Sequence, residues 1–149
     1  MGYVLDLRQK MGSQPLIVVG AAAVVLRAQQ LLLVKRTDNG LWGLPAGSKE
    51  LAEDLATTAS RELREETGLV GRQAKLLTVV SGPGMQYTYP NGDQIDSVTT
   101  VYQLTATGEL YADQTETSSA TYFPLDALPT ELTPITRRIL QALSREGQI

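Results

Sequence analysis

The segment from Gly47 to Leu69 constrains the fold more than any other, because it joins a helical apolar stripe to a cluster of carboxylates. Wound at about 100° per residue, Ala52, Leu55, Ala56, Ala59 and Leu63 fall between roughly 20° and 120° from Glu62. Glu62, Glu65 and Glu66 share an arc of about 100°, as their i, i+3, i+4 spacing requires, and Glu66 sits at about 40°, inside the apolar stripe. The pattern predicts a helix over Glu53–Thr67, ended by Gly68 in a left-handed cap. Such a helix must pack its stripe on a sheet while carrying a carboxylate toward the core. An unpaired buried carboxylate costs several kcal/mol, so it must be protonated, paired or bound to a cation. Arg61 helps, but one arginine does not balance the cluster. Mg²⁺ or Mn²⁺, hard ions that prefer oxygen ligands and also bind phosphate, would complete the balance. The plainer alternative is a solvated acidic face that only keeps the protein soluble.

The rest of the chain supplies the sheet. The apolar runs Leu16–Leu26 and Leu31–Arg36 read as strands, the second following Arg27–Gln30 as the partner in a hairpin would. A brief strand is expected at Trp42–Leu44, then a loop from Pro45 to about Leu51. Further strands are expected at Ala74–Val80, Gln86–Tyr89, Ser97–Thr105 and Ala120–Phe123, with Pro90-Asn91-Gly92-Asp93 turning a hairpin within Met85–Tyr102. Val4, Leu7, Arg8 and Met11 stand at helical spacing before Gly12, and Pro134–Leu143 reads as a helix capped by Thr133. Pro124–Leu128 reads as a turn or short helix. Strands interleaved with helices imply an α/β or α+β sandwich. The chain of 149 residues is the size of one domain.

Composition narrows the chemistry. With 13 basic and 16 acidic side chains, the net charge of −3 offers no broad attraction for nucleic acid. Cysteine is absent, which excludes disulfides and thiolate nucleophiles and accords with a cytoplasmic location. Histidine is also absent, so proton transfer and metal binding fall to carboxylates, lysine or tyrosine. The run Pro15–Leu26, preceded by Arg8 and Lys10, imitates a secretory signal. It is far shorter than the about 20 residues of a spanning helix and rich in β-branched residues, so a buried strand and no membrane association are expected.

The acidic segment resembles the Nudix box, G-x5-E-x7-R-E-U-x-E-E-x-G-U with U aliphatic. Gly47, Glu53, Arg61, Glu62, Leu63, Glu65, Glu66, Gly68 and Leu69 fill every fixed position of residues 47–69. The resemblance implies an α/β fold, a Nudix-type α/β/α sandwich with a mixed β-sheet, as a single domain over residues 1–149. It implies a metal held mainly by Glu62 and Glu66, assisted by Glu65 and the backbone carbonyl near Ala46–Gly47, with Glu53 and Arg61 orienting the cluster. Trp42-Gly43-Leu44-Pro45-Ala46-Gly47 resembles the family's lead-in, although the family often has glycine where Ala46 stands. Glu116 falls where many members carry a further ligand or base; its alternative is a loop carboxylate in water.

The reaction expected of such a site is direct attack of a metal-activated water on phosphorus, with a glutamate taking the proton. The ligand implied is a small nucleoside diphosphate derivative, ADP-ribose or a nucleotide sugar first, an 8-oxo-dGTP-type triphosphate second. A regulatory module that binds a nucleotide without cleaving it is the alternative from another class. Arg36, with Lys35, stands where phosphate oxygens would be held, or is merely strand-end solubility. Tyr87 and Tyr89 would stack on a nucleobase or pack in a homodimer.

Overall fold

The computed structural model describes residues 2–149. The elements run α1 (Tyr3–Met11), β1 (Leu16–Val24), β2 (Leu26–Arg27), β3 (Gln30–Arg36), β4 (Trp42–Gly43), β5 (Ala46–Ser48), α2 (Leu55–Thr67), β6 (Val70–Val80), β7 (Gln86–Thr88), β8 (Gln94–Thr107), β9 (Thr117–Pro124) and α3 (Pro134–Arg145). A five-stranded sheet is ordered β5-β1-β8-β6, with β7 also on β8; a four-stranded sheet is ordered β2-β3-β4, with β9 also on β3. The β1–β8 pair is parallel and its neighbours antiparallel, which makes the larger sheet mixed.

Period-2 alternation sends the apolar side chains of β1 and β3 into two separate cores. Ala22, Val24, Leu31 and Leu33 join Leu77, Val101 and the α3 residues Ile139 and Leu143. Ala21, Ala23 and Leu32 join Ala59 and Leu63 of α2. The two sheets thus lie between α2 and α3, which is the α/β/α sandwich. The near-continuous hydrophobicity of both strands follows from burial on both faces.

Three expectations need correction. The run 16–26 is not one arm of a simple hairpin. β1 belongs to the larger sheet, and only Leu26–Arg27 pair with β3. A two-residue turn can register only strand ends, whereas both faces of β1 demand cover, so the chain changes sheets at Val25. The stretch after Pro45 is not wholly loop, because Ala46–Ser48 pair with Gly20–Ala22. Gly20 makes that approach possible: a Cβ there would stand 2.3 Å from the Gly47 carbonyl oxygen. The box helix begins at Leu55, with Asp54 as its N-cap accepting from the Thr57 N–H at 2.9 Å, and Ala52 lies outside it at φ 62°. Gly68 closes it at φ 76°, as the pattern predicts.

The β2–β3 turn gives a stability prediction. Ala28 and Gln29 both take positive φ, 49° and 65°, in a two-residue turn where Asn-Gly is preferred. Gln29→Gly should therefore stabilise the protein by about 0.5–1 kcal/mol, or roughly 2–3 °C in melting temperature, despite the added freedom of the unfolded chain. Calorimetry showing a lower melting temperature would contradict this reading of the turn.

Candidate active site

A cleft of about 820 Å³ is lined by residues of both sheets, α1 and α2. The box helix supplies one wall, β5 and the β3 end the next, and the β7–β8 hairpin faces them. Gly47, Arg61, Glu62, Glu65, Glu66 and Glu116 all line it, and so do Arg36, Tyr87 and Tyr89. Every sequence-selected site residue except Glu53 and Lys35 therefore borders one space. Glu53 stands behind Arg61.

Arg61 is the hub of the acidic wall. Its Nε donates to Glu53 Oε2 at 2.6 Å and its Nη2 to Glu53 Oε1 at 2.9 Å, while Nη1 reaches Glu62 Oε1 at 3.0 Å and Glu65 Oε2 at 3.2 Å. Nη2 also donates to the Ser48 carbonyl at 3.0 Å, which ties the helix to β5. Glu53 accepts further bonds from Thr58 Oγ1 and the Glu50 N–H. The Arg61 hydrogen bond is the largest influence on the Glu53 carboxyl and holds its pKa down at about 2. The Arg61 pKa is raised in turn, chiefly by Glu53. This pair is a fixed ionic post.

Glu62 and Glu66 are in the opposite condition. The Glu66 residue is 8% exposed, and Oε2 accepts from the Ala46 N–H at 3.0 Å. Burial, then the charge of Glu62, push its pKa well above the ordinary carboxylate value. The Glu62 side chain is 13% exposed, and burial followed by the charge of Glu65 raises its pKa to about 7 despite Arg61. Desolvated carboxylates side by side store repulsion that an added cation relieves. Glu65, at 55% exposure, points outward. Among the described residues no group of three or more acidic side chains is already gathered in a geometry that would hold a metal ion. The donor chemistry nevertheless fits a hard cation, because the two raised carboxylates lie against a cradle that a side chain would fill. A Cβ on Gly47 would stand 2.2 Å from Glu62 Cδ.

That contact predicts the effect of Gly47→Ala. The obstructed atoms are the end of a flexible side chain, so the fold adapts while the carboxylate shifts. Turnover should fall on the order of a hundredfold, as displacements near 1 Å typically cause. The melting temperature should move by only a few degrees. Steady-state kinetics beside thermal melts check it; unchanged turnover would remove Gly47 from the site.

The opposite wall is aromatic and cationic. Tyr87 and Tyr89 pack edge to face, centroids 4.9 Å apart, both half-buried, and the Asn39 amide donates to the Tyr87 hydroxyl. The Arg36 guanidinium stands 5.4 Å from the Tyr89 ring centroid and pairs with Asp38 in bidentate fashion, Nε–Oδ1 2.9 Å and Nη2–Oδ2 2.7 Å. Burial works against the Arg36 charge, but Asp38 outweighs it and the net shift is upward. Glu116 is exposed at the rim. Its loop is shaped by Asp113, whose Oδ1 accepts the N–H groups of Thr115, Glu116 and Thr117 within 3.1 Å. Burial opposes ionisation of Asp113, yet these bonds prevail and lower its pKa.

Sequence reasoning missed Arg8, Asp38, Asn39 and Asp113. Arg8 left a signal, since it stands on the apolar stripe of α1 where an arginine needs buried partners. Asp38, Asn39 and Asp113 belong to loops without periodicity, and nothing local marks them.

A cleft of this fold that sets Glu66, buried, and Glu62, nearly so, side by side with raised pKa values is the arrangement of a hydrolase site that a divalent cation would suit. The comparisons supply the family. The family model described as NUDIX domain matches residues 16–143. A Bacillus subtilis (strain 168) protein provisionally named an 8-oxo-dGTP diphosphatase is 32% identical over 130 residues, covering 87% of this chain and 81% of that protein. An ADP-ribose pyrophosphatase from Methanocaldococcus jannaschii is 32% identical over 114 residues, covering 74% of this chain and 64% of its own length. The crystal structure of a MutT NUDIX hydrolase from Burkholderia pseudomallei superposes with a TM-score of 0.71 at 33% identity, covering 86% of this chain and 97% of that one. The chain belongs to the Nudix hydrolase family. Members act on small nucleotide derivatives and generally use divalent metal cations. Among the described residues no helix is long and apolar enough to cross a membrane, and the signal-like run is strand β1.

Proposed function

We propose that this hydrolase uses Mg²⁺, with Mn²⁺ as a substitute, to split the central diphosphate of ADP-ribose or a similar nucleotide sugar. The observation that carries the reading is the placement of Glu62 and Glu66, buried and with raised pKa values, across one cleft from the Tyr87–Tyr89 pair and Arg36. Glu62 and Glu66 would hold the ion, with Glu65 and the Gly47 carbonyl beside them. Bound there, the ion would neutralise diphosphate charge and lower the pKa of the attacking water. Arg61, fixed by Glu53, keeps Glu62 and Glu65 in place and prevents the helix from relaxing under its own repulsion. The proton of the water passes to a carboxylate outside the buried pair, Glu65 or Glu116, as the oxygen bonds to phosphorus and the bridging P–O bond breaks. Arg36, its charge secured by Asp38, meets phosphate oxygens, and the tyrosines stack on the base.

A damaged nucleoside triphosphate is the second reading, favoured by the name of the Bacillus relative. A product screen over nucleotide derivatives, with and without Mg²⁺, separates the two. ADP-ribose should yield AMP and ribose 5-phosphate only with the ion; a higher kcat/KM for 8-oxo-dGTP would replace the first reading by the second.

A further inference from the structure

Helix α1 lies outside residues 16–143, the part of the chain that the family model matches, yet it walls the cleft: Gly2, Val4, Leu5 and Arg8 line it. It is tied at both ends to the two halves of the site. At its start the Tyr3 N–H donates to Glu50 Oε1 at 2.8 Å, so a carboxylate of the box loop meets the positive end of the helix. Toward its end Arg8, only 9% exposed, donates to the carbonyls of Gly12 and Gln14 and, across the fold, to that of Gln94 in the hairpin. Asp93 stands 3.9 Å from Arg8 Nε and accepts from Ser13 Oγ at 3.0 Å. A nearly buried guanidinium spent on backbone carbonyls is a rigid staple. Between the two ties Leu5 remains 54% exposed although it borders the cleft. An apolar side chain left open there, on the helix stapled to the hairpin that carries Tyr87 and Tyr89, is a contact surface awaiting an apolar group.

We propose that α1 is the specificity wall of the cleft: Val4 and Leu5 contact the nucleoside end of the substrate, and Arg8 is a positioning residue that sets their distance from the tyrosine pair. The inference rests on the proposed function for the identity of the substrate, and deepens it by assigning who reads the nucleoside.

Two variants test it, Leu5→Ser on the surface and Arg8→Lys, which keeps the charge and loses the fork. Each is measured, with Mg²⁺ present throughout, for kcat and KM on ADP-ribose and for calorimetric binding of AMP and of inorganic pyrophosphate. Leu5→Ser should raise KM and weaken AMP binding about fivefold, the size of one lost apolar contact, with kcat and pyrophosphate binding unchanged. Arg8→Lys should do the same about tenfold or more, since it releases the whole wall. AMP binding unaltered in folded Leu5→Ser, or pyrophosphate weakened equally, overturns the proposal whatever Arg8→Lys does. A wild-type protein that cleaves ADP-ribose while both variants handle every ligand as the wild type does sinks only this inference; one that cleaves no diphosphate sinks the functional reading as well.

Discussion

Glu66→Gln should lower turnover on the order of a thousandfold while leaving the metal-free protein at least as stable as before. The opposite signs come from one cause. Burial and the neighbouring Glu62 push the Glu66 carboxyl pKa upward, so at neutral pH its ionised form burdens the fold. Glutamine keeps the shape and still accepts from the Ala46 N–H through its carbonyl oxygen, but it carries no charge to repel Glu62 or to hold a cation. Activity assays with a divalent-ion titration, alongside melts in EDTA, test both halves. Retained turnover would remove Glu66 from the catalytic apparatus, and a marked loss of metal-free stability would show that its carboxylate is a structural ion pair instead.

The second large effect is an inverted response of stability to pH, corrected by metal. Burial, then the charge of Glu65, push the Glu62 carboxyl up to about 7 against 4.5 for the ordinary group. A raised folded pKa contributes stability that is complete below the unfolded value and is lost as pH rises through the folded one. Without metal the protein should therefore weaken as pH rises from about 4.5 through 7, and the raised Glu66 carboxyl acts in the same direction. Glu53 works the other way. Its pKa of about 2 gives stability present above 4.5 and lost as pH falls toward 2. The metal-free protein should thus be most stable near pH 5, and millimolar Mg²⁺ should restore stability at pH 7 to 8 by binding the native state alone. Melting curves across pH in EDTA and in Mg²⁺ would refute this if the two profiles coincide.

Much of the site was legible because it is local. The spacing of Glu62, Glu65 and Glu66 against Leu55, Ala59 and Leu63 places a carboxylate inside an apolar stripe, and in the structure Glu66 is buried there. Gly68 marked the end of the helix because glycine takes the left-handed cap conformation without strain. The Pro90–Asp93 turn and the Thr133 cap were likewise written in residues whose backbone preferences are strong.

What the sequence by itself determined, then, was the periodicity of each element, the chemistry of the box and the absence of any cysteine or histidine alternative. What only the tertiary structure decided was partnership at a distance. The apolar run after Leu16 reads the same whether it pairs with β3 or lies parallel to β8; burial of both faces selects the second and moves the chain between sheets at Val25. The stretch Ala46–Ser48 becomes a strand because Gly20 admits its carbonyl, a contact between residues with no common local signal. Arg8, Arg36 with Asp38, and the tyrosines border the cleft with the glutamates because the tertiary fold brings α1, tied to the hairpin through Arg8, to the same space as α2. Local dihedral preference and period are properties of neighbours along the chain. Desolvation, and with it the raised pKa values of Glu62 and Glu66, depends on everything packed around them.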